Sequence, residues 1–408
     1  MLGREYLLAG HLIDRAGMPQ IIGRSGREAM QAVAIEEWMG ASPVYTRRVQ
    51  RALGFAGDDV GTIFKGMQLD IGAPHRFMDF RFRVSDPLHG EFWLASCGAL
   101  MDVEPMGEDF VVGMCHHIED PTFDATACAT NPRARMRPLH RPPREPADRH
   151  PHCHWVVEID PSASPVPEPP AALRVAASRA AGVEIARPAA EGTEPGGRDA
   201  YDGAFDPAFS LDDLSWPTLV VALDEVCLQG HLLAHSFLWA VEHAVDGGFA
   251  REATGRQCVG IAGLVASRLA RMLGLEVAGS ARRGAGALDR IARVLDLHPL
   301  FRPRVYVDLR VAPSDEHLSV AVGPCEALAE DGRRSWHGLL ADPDPPPVME
   351  ALVQGVDPRA RVRRVDPPGD AVLAWEITHD PGADPLPEPP EVTLTHFSTG
   401  AAFDLERG

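Results

Sequence analysis

The chain lacks any apolar run of about 18 residues, the length a membrane-crossing helix needs, so no membrane span is expected. It lacks an excess of basic residues: 39 Lys and Arg stand against 58 Asp and Glu, a formal charge of −19. Phosphate backbones and anionic lipid surfaces are held by clustered cations, so neither nucleic acid nor a membrane surface is an expected partner. No glycine-rich loop follows a strand candidate, which leaves nothing to cradle a nucleotide phosphate. The opening segment carries Arg4 and Glu5 where a secretory leader would have its apolar centre. Cysteine is sparse and odd in number, seven scattered over 408 residues, which does not read as a disulfide framework. These absences place the expected protein in a reducing cytoplasm.

What is present is an ordinary globular composition, 45% hydrophobic and 24% charged, together with an internal repeat. Asn131-Pro-Arg-Ala-Arg-Met-Arg137 matches Asp357-Pro-Arg-Ala-Arg-Val-Arg363. In the same order, Arg48-x-x-Arg51-x-Leu53-Gly54 answers Arg268-x-x-Arg271-x-Leu273-Gly274, and Leu69-Asp70-Ile71 answers Leu295-Asp296-Leu297. Phe80 to Val84 answers Val307 to Val311, Cys97 answers Cys325, and Pro165 to Pro170 answers Pro385 to Pro390. The reading is a tandem duplication: a first copy over 1–190, a Pro/Gly-rich linker at 191–213 and a second copy over 214–408. Each copy is long enough to bury a core of its own.

Within each copy helical patterns come first and period-two patterns follow. Glu28–Met39 and Val44–Leu53 read as helices, the latter stopping at Gly54. Phe80 to Val84, Glu91 to Cys97, Phe110 to Cys115 and Trp155 to Ile159 read as strands, and the proline-rich 132–151 as partly extended loop. In the second copy Trp216–His243, Val259–Leu273 and Ala287–Leu295 read as helices, and Arg304–Val311 and His317–Val322 as strands. Helices followed by strands, twice, predict an α+β fold with antiparallel sheets.

The duplication separates what is shared, and so expected to be scaffold, from what one copy carries alone. Only the first copy holds Cys97, Cys115-His116-His117 and His152-Cys153-His154; the second keeps Cys325 and shows Ala371-Val372-Leu373 at the third position, with Ala371 matching Cys153. Arg133, Arg135, Arg359 and Arg361 are shared, and are assigned to fold support. Thiolates and imidazoles brought together at strand ends could ligate a metal, zinc being the ion that such donors suit, with Cys97, Cys115, His116 and Cys153 as ligands. The same residues could serve nucleophilic catalysis, an imidazole lowering a thiol pKa. The alternative is that the three cysteines are small core residues, as free cysteines commonly are. Asp102, Glu104, Glu119, Asp120 and Asp124 supply carboxylates nearby.

A strand ending in Cys97, Cys115 followed by Glu119-Asp120, and Asn131-Pro132-Arg-x-Arg leading to Cys153 together resemble the L-2-amino-thiazoline-4-carboxylic acid hydrolase-like family, related in style to V4R ligand-binding domains. The resemblance covers about 45–160 and, more faintly, 260–378; Asp148-Arg149-His150-Pro151 stands where the family carries Gly-Asp. It implies a pocket between helices and sheet, and hydrolysis of a C–N or C–S bond of a small heterocyclic or amide-like molecule. In the second copy His231 and His235 lie one turn apart on a helix and could line a substrate pocket, or be core histidines. The expectation is thus a small-molecule hydrolase with its site in the first copy. The alternative is a small-molecule or metal-binding module without turnover, and a homo-oligomer is compatible with both.

Overall fold

A computed structural model of the chain describes residues 1–190, 196–275, 286–314 and 316–405. The start of the expected linker, 191–195, lies outside the described residues. The first copy begins with α1 (Leu2–Ala52), which merges the two expected helices and breaks at Gly26, where φ is 84° and ψ 177°. That is a backbone state open to glycine and avoided by L side chains. Next come α2 (Val60–Met67), capped by Asp59 accepting from the Thr62 amide at 2.7 Å, and the hairpin β1 (Met78–Asp86) and β2 (His89–Cys97). Helices α3 (Gly98–Val103) and α4 (Glu108–Val112) lead through a π-helical turn, Gly113–Ile118, into α5 (Glu119–Cys128). Strands β3 (Ala134–His140) and β4 (Cys153–Ile159) complete the sheet, and α6 (Pro170–Ala176) and α7 (Arg179–Gly182) follow.

The second copy repeats this order. It runs α8 (Trp216–Ala244), α9 (Gly247–Met272), α10 (Ala287–Leu297), β5 (Leu309–Pro313), β6 (Leu318–Val322), α11 (Trp336–Leu340), α12 (Val348–Val356), β7 (Ala360–Arg364), β8 (Leu373–His379) and α13 (Pro390–Thr395). The sheets are both antiparallel and share one strand order, β1-β2-β4-β3 and β5-β6-β8-β7. The molecule is therefore the expected α+β tandem. No helix among the described residues is long and apolar enough to cross a membrane.

Strand register refines the correspondence. Phe92 pairs with Phe82 and Trp155; Val320 pairs with Val311 and Trp375, so Trp155 and Trp375 occupy one position. The His152 amide donates to the Leu94 carbonyl at 2.8 Å, and the Val372 amide to the Val322 carbonyl at 2.8 Å. The partner of Cys153 is therefore Leu373, not Ala371 as sequence matching expects. The shared heptapeptide does one job twice: Asn131 Oδ1 and Asp357 Oδ1 each accept from the amide two residues on at 3.0 Å, turning the chain into an edge strand.

One local expectation is overturned and another refined. Phe110 to Cys115 is helical, because Val111 and Cys115, four residues apart, are buried on one side while Gly113 packs close to Gln31 of α1. The proline-rich stretch contains β3, which tolerates Pro138 because it lies at the sheet edge, where a missing amide breaks no interior ladder.

The two copies interlock. Arg48 of α1 pairs with Glu225 of α8, while Arg268 of α9 pairs with Glu5 of α1. Arg48 Nη1 also donates to the Ala181 carbonyl at 2.8 Å, and Arg268 Nη1 to the Gly400 carbonyl at 2.9 Å and the Ala401 carbonyl at 3.1 Å. Asp102 of the first copy receives Ser398 Oγ and the Thr399 amide from the second copy's tail, and Glu330 of the second receives the Arg179 and Ala180 amides of the first. Such exchanged contacts are those of two subunits about a twofold, here carried by one chain. The main hydrophobic core runs through both copies. Residues 196–213 also lie against the first copy. Tyr201 is buried and stacks on Phe209, and the only lysine in the sequence, Lys65, donates to the Tyr201 carbonyl at 2.7 Å and to that of Gly203.

Candidate functional site

A cavity of about 570 Å³ opens inside the first copy, between α1, the helical stretch from α3 to α5, and the start of β1, with Leu394 and Phe397 of the second copy's tail on its wall. Its α1 lining follows helical spacing on both sides of the Gly26 break: Asp14, Met18 and Ile22 on one side, Gln31, Ala34, Trp38 and Tyr45 on the other. The π-helical turn supplies Gly113, Met114 and Ile118; such turns are commonly found at functional sites. Seven of the chain's 12 methionines line the cavity (Met18, Met30, Met67, Met78, Met106, Met114 and Met136), with Phe80, Phe110 and Phe123. Methionine is flexible and polarisable, so this wall can reshape around a ligand.

One end of the cavity is polar. Trp38 Nε1 donates to Asp14 Oδ2 at 2.8 Å, and Tyr45 Oη to Asp70 Oδ1 at 2.8 Å. Arg15 Nε donates to Asp102 Oδ2 at 3.0 Å, and its Nη2 lies 3.2 Å from His11 Nε2. Asp14 Oδ1, both carboxyl oxygens of Glu37 and His11 Nδ1 are buried without a hydrogen-bond partner among the described residues. Burial holds the Asp14 carboxyl above its ordinary range. It pushes Glu37 well above, with the Asp14 charge beside it adding to the effect. Burial also raises Asp70 to about 6 and Glu119, on the opposite wall, to about 8, and lowers His11 well below its ordinary value. The pocket end thus holds several carboxyls whose pKa values burial raises, and a neutral imidazole, around one committed guanidinium.

The cysteines expected to carry chemistry lie outside this lining. Cys97, Cys115 and Cys153 are buried close enough to feel one another and Glu119 electrostatically. Desolvation pushes the Cys97 thiol up to about 12 and raises Cys115 and Cys153 as well, so all three are neutral thiols. Cys97 Sγ accepts the Leu100 amide at 3.3 Å as the cap of α3, and the Cys97 amide donates to His152 Nδ1 at 3.1 Å. His116 turns away, its Nε2 donating to the Pro142 carbonyl at 2.7 Å. Among the described residues no group of three or more His, Cys, Asp or Glu is placed to hold a metal ion, so zinc enters no step below.

In the second copy His231 and His235 are buried. His231 Nε2 donates to the Arg302 carbonyl at 2.9 Å, and its ring is enclosed by Tyr306, Trp336 and His337, with centroids 5.0, 5.6 and 5.8 Å away. His235 Nε2 lies 3.0 Å from Tyr306 Oη and 3.3 Å from Glu330. These rings fill the region corresponding to the first copy's polar pocket end: His231 answers His11 and His235 answers Arg15, each 220 positions on, the same offset that relates Arg48 to Arg268. No family model, curated protein or solved structure matches the chain.

The cavity lies in the first copy, and of the carboxylates named from the sequence Asp102 and Glu119 line it. The pattern over residues 1–70 reads only as helix, so it does not single out His11, Asp14, Arg15, Glu37 or Trp38. The available signal was the crowding of methionines into the first copy and acidic side chains on an otherwise core-facing helix.

Proposed function

We propose that the first copy is a binding module for a largely apolar small molecule, with the second copy as the scaffold that closes the site. The observation that carries this reading is the cavity itself. Its volume is that of a small-ligand pocket, its wall is methionine and aromatic, and its few polar groups converge at one end. The second copy contributes Leu394 and Phe397 to the wall, and its tail anchors Asp102 through Ser398 and Thr399. Binding is favoured over hydrolysis because a hydrolase needs an activated nucleophile at the ligand. The three thiols stand outside the lining and are held neutral by burial.

The test is titration of the full chain with Nile red, a neutral dye whose emission reports an apolar site. One equivalent should bind, and Ala73→Trp, which places an indole into the cavity, should weaken binding about tenfold or more. Exposed Leu139→Ser serves as the unchanged control. Dye binding that is indifferent to Ala73→Trp and to a second blocking variant, Thr126→Phe, would refute the reading.

A further inference from the structure

We propose that the cavity selects ligands whose apolar body ends in a positively charged nitrogen, an alkyl- or arylamine in preference to a carboxylic acid or an alcohol. This rests on the cavity being a ligand site and adds the chemistry of its polar end. Asp14 and Asp70 line that end, and Glu37 lies beside Asp14. The guanidinium there, Arg15, is already held by Asp102. Asp102 is in turn saturated by Ser398 Oγ at 2.6 Å and by the Thr399 amide and hydroxyl, each at 2.7 Å. A carboxylate ligand would therefore meet carboxyls and find no uncommitted cation.

The second, independent observation is the pattern of unused polar atoms. Asp14 is 8% exposed and lines the cavity, and its Oδ1 lacks a partner among the described residues. Unpaired buried polar atoms cost free energy, so a native wall that keeps them is complementary to something that supplies their partners. Desolvation strips the imidazole of its charge, and Arg15 Nη2 donates to its Nε2, so Nδ1 carries the ring proton; Asp14 Oδ1 is the free acceptor at this end. An ammonium offers up to three N–H donors and no acceptor, which matches the unpaired Asp14 Oδ1 and the carboxyls around it and mismatches a carboxylate. Trp38 and Tyr45 add aromatic faces at the same end, the surfaces to which cations are drawn.

The charged and titratable groups lining this volume are His11, Asp14, Arg15, Tyr45, Asp70, Asp102 and Glu119, with Glu37 buried beside Asp14. Glu119 is approached by Arg141, whose guanidinium is taken by Asp120. Carboxyls outnumber cations throughout, and burial favours the protonated forms of Glu37 and Glu119. An incoming ammonium stabilises the ionised form of Asp14.

The deciding experiment displaces Nile red from the full chain with three matched ligands used as monomers: dodecylamine, dodecanol and dodecanoate. Dodecylamine should displace the dye at about tenfold lower concentration than dodecanol, with dodecanoate weakest. Asp14→Asn should erase the amine's advantage and leave dodecanol unchanged. Glu37→Gln, a second isosteric change, should reduce the advantage and serves if the first variant does not fold. Equal displacement by amine and alcohol, or preference for dodecanoate, overturns the amine inference while leaving the cavity reading standing. Failure of Nile red and of all three ligands to bind overturns both.

Discussion

Arg48 grips Glu225 with both prongs of its guanidinium, Nε to Oε2 at 3.0 Å and Nη2 to Oε1 at 2.8 Å, and the pair is almost wholly buried between the two copies. The same clasp recurs with the copies exchanged, Arg268 on Glu5 at 2.9 and 3.0 Å. Each arginine also holds a carbonyl of its own copy's tail, so one side chain fixes the partner helix and the C-terminal segment together. This geometry explains why Arg48 and Arg268 are shared by the repeats while the cavity groups are not.

Breaking one clasp should cost far more than replacing it. Arg48→Ala leaves Glu225 buried and unpaired, and a loss of about 3–5 kcal/mol is expected. Arg48→Met with Glu225→Leu removes both charges and should be several-fold milder. Chemical denaturation of the two variants checks this, and similar losses in both would show that packing, not the uncompensated charge, is what matters.

Glu119 should make the protein lose stability as pH rises. Burial lifts its carboxyl from an ordinary 4.5 to about 8, so between those values the folded chain holds a proton that the unfolded chain has released. Its contribution is fully present below about 4.5 and is lost as pH rises through 8. Glu119→Gln should therefore melt higher than the parent at pH 9, with a much smaller difference at pH 5. Asp70, raised to about 6, titrates in both proteins and cancels in the comparison.

Thiol labelling reads the state of the cysteines directly. Cys97, Cys115, Cys153, Cys227 and Cys258 are buried, whereas Cys128 and Cys325 are partly exposed. In the native protein at pH 8 at most those two of seven should react quickly with a disulfide reagent, the rest only on unfolding. Rapid loss of Cys97 or Cys153 would restore a chemical role for the cluster. Cys153→Ala, a small truncation opposite Leu94, should cost about 1–2 kcal/mol and leave Nile red binding intact.

The break in α1 is a backbone device, testable with two glycines that both face open space. Gly26 has φ +84° and Gly23 is helical. Gly26→Ala should destabilise by about 1–3 kcal/mol, since a Cβ is strained there whatever surrounds it. Gly23→Ala should stabilise by about 0.5–1 kcal/mol through helix propensity. The same sign for both in thermal melts would show that the break does not depend on glycine at 26.

Much of the architecture follows from the sequence alone, because it is written in local pattern. Residues 216–243 have no proline after Pro217, Phe80 to Val84 alternate, and the Asn131 and Asp357 heptapeptides match, so helices, strands and duplication could be read without coordinates. Register could not be read: only the ladder shows that Cys153 answers Leu373, because matching by eye cannot see a slip of two residues along a strand. Phe110 to Cys115 looks like a strand and becomes helix because the face it buries against α1 has a period near four. The cavity was beyond local reading altogether. Asp14, Glu37, Asp70 and Asp102 come from three separate segments, and an acid's charge state depends on how much water neighbouring elements remove. The sequence determines which elements form and that there are two copies of them; their packing alone decides that one copy stays open while His231, Tyr306, Trp336 and His337 fill the other.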